Sequence, residues 1–254
     1  MNNKIALFSF ISREIQRFTR VYVQSLFSPW INAVLYIFIF GYVVGSRIDS
    51  IAGIKYIAFV LPGILMMNII SASFQQTAFS LYFKRFAKYI EEYLVAPLSN
   101  FELLTGHIIG GVTRALFVGT GIYVIAILFH AASIVNPLWF FFYSVTVSII
   151  FALVGVFIGL WADNFEQLNI LTTFIIMPFT YLGGMFNSVS MLPEKIQWFM
   201  KVNPFFYFVD GLRFSMTGVQ ESNMIAGIGI ITFCILGLGG LVWYLFKIGW
   251  RIRG

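Results

Sequence analysis

The sequence predicts an all-α polytopic membrane protein with six transmembrane helices, an N-terminal amphipathic helix at the membrane interface and short re-entrant helices on the outer side. Three observations carry this. Hydrophobic residues make up 59% of the 254 positions and charged residues only 10%, against about 25% charged in ordinary soluble domains. The apolar residues gather in six runs, each near the roughly 20 residues that span a bilayer. With a mean hydropathy of +0.88, no polar stretch is long enough for a separate soluble domain. The chain therefore reads as one membrane domain, 1–254.

Residues 1–28 come first and are not a span. In IALFSFISREIQRFTRVYVQSL, Phe8, Ile11, Ile15, Phe18 and Tyr22 recur at steps of three and four, while Arg13, Arg17 and Arg20 fall on the opposite side. That pattern predicts a helix lying flat among lipid headgroups. The same arginines, with Glu14, interrupt any apolar core of a secretory signal.

The six spans are expected near 29–46, 56–80, 103–129, 138–161, 168–185 and 223–246, which puts both termini on one side. Lys4, Arg13, Arg17, Arg20, Lys84, Arg85, Lys88, Lys247, Arg251 and Arg253 fall on that side, ten basic residues; Arg47, Lys55, Lys195, Lys201 and Arg213 make five on the other. This bias predicts cytoplasmic termini. It also accounts for the net charge of +6 without nucleic acid, since anionic headgroups attract basic segments. The lone Cys234, inside the last run, reads as a small packing residue.

Two connections look unusual. The cytoplasmic loop, 81–102, contains KYIEEYLVAPLSNFELL. A short helix starting near Phe86 should end at Ala96-Pro97, because proline disfavours helix in the residue before it. Ser99 and Glu102 then have the spacing of a capping box that opens the third span. This loop is either a handle gripped from outside the membrane or a plain amphipathic connector. The outer segment, 186–221, is too polar to span and too apolar for a simple loop. Pro193 is placed to open one short helix and Asn203-Pro204 to break it, with Phe205 to Leu212 forming a second. Non-helical backbone dipping into the bilayer must be buried in protein or line a watery cavity.

Several kinds of chemistry are missing from the sequence. His107 and His130 lie 23 residues apart on one span, about 35 Å along a helix, so one chain cannot bring them together. No H-E-x-x-H, C-x-x-C or intraspan acid pair occurs, so no metal site is expected. None of the seven lysines follows a glycine, which excludes the usual P-loop. An intramembrane enzyme and an ATP-independent channel remain the rival readings. Arg114 alone lies deep in a span. It is either a structural charge, snorkelling or bonded to carbonyls, or a contact for an anionic substrate group; it cannot shuttle protons.

The order of parts resembles the permease subunits of the ABC type-2 transporter family, especially small bacterial YadH-like exporters. The stretches that carry the resemblance are FVLPGILMMNIISASF (59–74), IEEYLVAPLSNFELLTGHIIGG (90–111), MPFTYLGGMFNSVSMLP (177–193) and NPFFYFVDGLRF (203–214). The resemblance implies a type V ABC exporter-like fold and a homodimer in the bacterial inner membrane, in contact with membrane lipids. It also implies two copies of a separate ABC ATPase, which would hold the ATP and magnesium; this chain would hold no cofactor and no catalytic site. Carried over by position, the cytoplasmic coupling helix covers Lys88 to Leu98. Lys88, Tyr89, Glu91, Glu92, Leu94 and Pro97 then become the ATPase-facing residues.

In that family spans one, two and five line the route. Polar side chains in spans two and five, namely Asn68, Gln75, Gln76, Asn169, Thr172, Thr173 and Thr180, should avoid lipid and face either a helix or the route. Tyr36, Phe40, Phe74 and Tyr181 offer aromatic surface to a sugar or acyl chain. The expected path is thus Tyr36, Phe40, Asn68, Phe74, Gln75, Arg114, Thr173 and Tyr181. Pro62-Gly63 and Pro178 with Gly183-Gly184 are either hinges or sites of close helix packing. The cargo reads as a lipid, a lipid-linked saccharide or an amphipathic drug-like molecule.

Overall fold

The computed structural model describes residues 3–48, 50–89 and 98–251. Among them six helices are long and apolar enough to cross a membrane. Helix α1 is Asn3–Arg20. The spans are α2 (Val23–Val44), α3 (Tyr56–Phe86), α4 (Asn100–Leu128), α5 (Pro137–Trp161), α6 (Phe165–Met185) and, last in the chain, α9 (Met224–Ile248). Between α6 and α9 lie two shorter helices, α7 (Glu194–Val202) and α8 (Pro204–Thr217). The six expected runs fall within these spans to within several residues at each end.

Span α3 is the axis of the bundle. Of its most apolar stretch 83% is buried, against 11% for α2 and 17% for α9. It packs chiefly on α5 and α4, and small residues let the helices close. A Cβ added at Gly155 of α5 would stand 2.1 Å from Thr77 Oγ1. At this contact Thr77 Oγ1 donates to Ala152 carbonyl oxygen and Ser73 Oγ to that of Ser148, at 2.9 and 2.5 Å. The hydroxyls thus avoid lipid by bonding backbone across the helix pair.

The third span opens as its sequence dictates. Ser99 Oγ accepts from the Glu102 amide at 3.2 Å and the Glu102 carboxylate accepts from the Ser99 amide at 2.7 Å, a complete capping box. At the opposite face α2 and α3 are joined by a two-residue turn between Ser50–Ile51 and Ile54–Lys55, with Ala52 and Gly53 both at positive φ.

Helix α1 docks on α3 and α4 through a face rotated from the predicted stripe and sharing Phe18 with it. The buried ridge is Phe10, Glu14 and Phe18, spaced four apart, while Phe8 and Tyr22 are 74% and 54% exposed. The apolar surface of the helix is therefore wide, with one edge against the bundle and the other open. Gly106 and Gly110 of α4 make room: an added Cβ would lie 2.3 Å from the Phe10 ring and 2.9 Å from Glu14 Cβ. Glu14 pairs with Lys84 and accepts from Ser80 Oγ at 2.8 Å. Burial alone would raise its pKa, but the Lys84 ammonium and these hydrogen bonds outweigh that and hold the carboxyl at about 2.

On the other face, Asn203 caps α8 by accepting from the Phe205 amide at 3.0 Å, and Pro193 stands just before α7. Both short helices begin where the sequence expected. Arg213, counted from sequence as a charge of the outer loop, is fully buried instead, as is Asp210. The Arg213 guanidinium donates to Asp210, to the Phe59 carbonyl at 3.2 Å and to the Gly184 carbonyl, and lies 3.8 Å over the Phe59 ring. Asp210 also accepts from the Glu221 and Ser222 amides, at 3.0 and 2.7 Å. This ion pair ties α8 to the start of α3, the end of α6 and the chain leading into α9.

Candidate functional site

Two adjoining cavities lie where α1 meets the spans. One, of 370 Å³, is walled by α1 and the start of α2 on one side and by the later half of α3 on the other. Its polar lining is Arg17, Gln24, Ser25, Gln75, Gln76 and Arg114; its apolar lining is Phe18, Val21, Phe79 and Phe83. The other, of 270 Å³, lies deeper between α2, α3 and α6, and shares Gln24, Gln75 and Arg114 with the first. Ser28, Asn32, Tyr36, Asn68, Ser71 and Thr172 complete its polar wall. No acidic side chain lines either cavity among the described residues.

Local sequence explains why these side chains face inward. Arg114 is the middle residue of the 29-residue α4, about 21 Å from either end at 1.5 Å per residue. It is placed there by Gly110 and Gly111, which hold α1 and α3 close on that side. Its Nε is buried and has no hydrogen-bond partner. Arg17 reaches the same cavity from α1, with its guanidinium 5.7 Å from the centre of the Phe83 ring. Thr172 Oγ1 is likewise buried without a partner.

The spans beside these cavities have irregular backbones. Span α2 contains π-helical turns at Val23–Phe27 and Ile39–Val44, and α6 at Thr172–Ile176 and Tyr181–Met185. Such wide turns recur at functional sites because they re-aim side chains and weaken the helical ladder. An aromatic group adjoins the second cavity at Tyr36: the Tyr36 and Tyr181 hydroxyls lie 3.3 Å apart, and Phe40 stacks on Phe186 at 4.3 Å.

Of the path residues expected from sequence, Asn68, Gln75, Arg114 and Tyr36 share a cavity wall, and Phe40 and Tyr181 stand just beyond it. Two do not. Phe74 is fully enclosed in the core, its carbonyl against Gly155. Thr173 points to the surface, and its neighbour Thr172 takes the place in the wall, because one residue along a helix rotates a side chain by about 100°.

The candidate hinge glycines make close contacts. A Cβ at Gly63 would lie 2.9 Å from Met185 Cα, and Pro62 is buried inside an unbroken α3. Gly183 abuts the Phe205 backbone, Gly184 takes φ +80° where α6 ends, and Pro178 sits at the start of a short α-helical stretch between two π turns. Of the ATPase-facing residues, Lys88 and Tyr89 are exposed just past the end of α3. Glu91, Glu92, Leu94 and Pro97 lie outside the described residues.

The model for ABC-2 type transporters matches residues 5–217. The chain belongs to the ABC-2 type transporter family. Within it, the chain is 33% identical to the inner membrane transport permease YadH of Escherichia coli (strain K12) over 249 residues, 98% of this chain and 97% of that protein. It is 22% identical over 215 residues to nodulation protein J of Rhizobium leguminosarum bv. viciae, covering 84% of this chain and 83% of that one. For the Rhizobium meliloti (strain 1021) protein of the same name the identity is 24% over 200 residues.

Sequence reasoning missed two charged anchors. Asp210 and Arg213 stand three apart on one helical face of FFYFVDGLRF, a spacing that pairs opposite charges. Glu14 shares a four-residue spacing with Phe10 and Phe18, which marks it as belonging to their inner face.

Proposed function

We propose that this chain is the membrane permease subunit of an ATP-driven ABC exporter. Two copies form the translocation path, and two copies of a separate ATPase, which bind ATP and magnesium, drive it. Both termini face the cytoplasm of a bacterial cell with the chain in the inner membrane. The cargo is a lipid, lipid-linked saccharide or amphipathic drug-like molecule, taken from the cytoplasm or inner leaflet. The observation that carries this reading is the pair of polar cavities running from α1 into the middle of the bundle. The family match supports it, and the YadH relative named an inner membrane transport permease supports the location.

In this reading Lys88 to Leu98 is the helix that the ATPase grips, with Glu91 and Glu92 as its charged contacts. A short helix carrying two carboxylates transmits a push and is oriented by basic groups on the partner. Lys84 and Arg85, at the end of α3, connect it to the rest of the protein: Lys84 to Glu14 of α1, and Arg85 to the carbonyls of Gly159 and Ala162 at 2.9 and 3.2 Å. A displacement of this loop is thereby passed to α1 and α5 together.

The test is purification from native membranes followed by identification of bound proteins. A P-loop ATPase is expected to accompany the wild-type chain and to be lost from a Glu91→Arg/Glu92→Arg variant that still extracts as a folded protein. Equal ATPase recovery from both would remove this loop as the contact, and no ATPase with either would remove the exporter assignment.

A further inference from the structure

The two cavities differ in charge, and the difference names a ligand chemistry. The one beside α1 has two guanidinium groups, Arg17 and Arg114, and amide side chains around them, with no carboxylate in its lining. The deeper one shares Arg114 with it, and its other polar groups are neutral amides and hydroxyls. Among the described residues Glu14, Asp210 and Asp163 are paired with Lys84, Arg213 and Arg251, and none of these carboxylates reaches Arg114.

A charge at the middle of a span is costly to insert. Such residues normally turn inward and pair with another charge or with backbone carbonyls. Arg114 turns inward, yet its buried Nε has no partner. Two like charges brought to one cavity add repulsion to that cost. An anion seated between them removes both penalties, and a guanidinium offers it a planar, multidentate set of donors. The cavity volume of 370 Å³ lies within the roughly 300–1,000 Å³ of small-molecule sites.

We propose that the Arg17–Arg114 cavity binds the phosphate or comparable anionic group of an amphiphile, with the hydroxyl- or amide-bearing part next to it entering the deeper cavity. An amphiphile fits better than a free ion because Phe18, Val21, Phe79 and Phe83 line the same cavity, with Val21 and Phe83 50% and 43% exposed at its edge. These give an apolar tail a place to lie while its head group stays at the arginines. The proposal deepens the exporter reading, and calling the bound molecule cargo rests on it; the anion site itself does not. Two sources share this chemistry: an anionic phospholipid of the bilayer and a phosphate-bearing exported amphiphile.

The experiment is native mass spectrometry of the full-length chain in neutral detergent, which needs no ATPase. Failure of the anion site and failure of the exporter reading therefore show up separately. Dioleoylphosphatidylglycerol, dioleoylphosphatidylcholine, dodecyl phosphate and inorganic phosphate are titrated onto wild type, Arg114→Gln, Arg17→Gln, Arg114→Lys and the control Arg20→Gln, an exposed arginine of α1 lining neither cavity. Preference for the anionic lipid or dodecyl phosphate over phosphatidylcholine is expected in wild type and Arg20→Gln. Arg114→Gln should weaken it on the order of tenfold, the scale of one charge-assisted contact. Arg114→Lys should restore part of it.

Phosphatidylglycerol that dodecyl phosphate cannot displace points to a resident bilayer lipid; ready displacement points to an exchangeable, cargo-like head group. Either outcome supports the anion site. Equal retention by wild type and Arg114→Gln, with both unfolding at the same temperature, overturns it. Competition by inorganic phosphate as strong as by dodecyl phosphate overturns the amphiphile.

Discussion

Arg213 and Arg114 are both arginines enclosed in an apolar helical protein, and their surroundings are opposite. Arg213 is fully buried and satisfied: a carboxylate, two carbonyls and an aromatic face surround its guanidinium. Arg114 is buried at its Nε, has no partner there and faces a cavity. A charge that the fold has already neutralised belongs to the architecture, and one left uncompensated at mid-span is available to something that comes and goes. The two arginines thus contrast a charge built into the packing with one that the packing leaves facing a cavity.

That contrast breaks first at Arg213. Replacing it with methionine leaves Asp210 buried without its cation, a loss of roughly 3–5 kcal/mol. The expected outcome is a collapse in the yield of monodisperse protein on size exclusion. Asp210→Asn combined with Arg213→Met should recover part of the yield, because the amide oxygen still accepts from the Glu221 and Ser222 amides. If Arg213→Met behaves like wild type, the pair is not an anchor.

Glu14 sharpens the comparison from the other end, since it is a satisfied charge at the α1 face. Its carboxyl is held at about 2, below the ordinary value near 4.5. Its contribution to stability is therefore complete above about pH 4.5 and is lost as the pH falls toward 2. Glu14→Gln should lower the thermal midpoint by several degrees at neutral pH, and the gap to wild type should narrow on acidification through that window. A gap that stays constant from pH 7 to below 3 contradicts the Lys84 pairing. Ser99→Ala, which removes one arm of the capping box, should cost less, about 1 kcal/mol, and fray only the start of α4.

Arg114→Gln stands last on the stability scale. Removing an uncompensated charge should leave the thermal midpoint unchanged or slightly higher, while ATP-dependent export, once the cargo is in hand, drops. A large fall in stability would place Arg114 with Arg213 as a structural charge.

Much of this fold is written in the sequence, for physical reasons visible residue by residue. Spans α3 to α5 and α9 are long apolar runs, and length alone fixes them within several residues. Ser99 and Glu102 announce the start of α4 because a capping box depends only on local spacing. Asn203-Pro204 announces α8 in the same way. What local spacing cannot reveal is which side of a buried helix faces which neighbour. Hence Thr173 was expected in the wall that Thr172 occupies, and Phe74, a suitable aromatic by type, is closed into the core. Periodicity treats a carboxylate as polar and so finds a single apolar stripe on α1; the partners that satisfy Glu14 on the inner face, Lys84 and Ser80, are distant in sequence. The π turns of α2 and α6, one of which begins at Thr172, leave no compositional trace.

The most direct test of an ATPase-driven path needs no knowledge of the cargo. Asn32, on the deeper cavity wall, is replaced by cysteine in a Cys234→Ser background, and the accompanying ATPase is retained. Labelling by a membrane-impermeant thiol reagent is then measured on sealed vesicles of both orientations, with and without ATP and vanadate. The account predicts labelling from the α1-bearing side without nucleotide and its loss, or transfer to the other side, in the trapped state. Labelling of equal rate and sidedness in every nucleotide condition would contradict it.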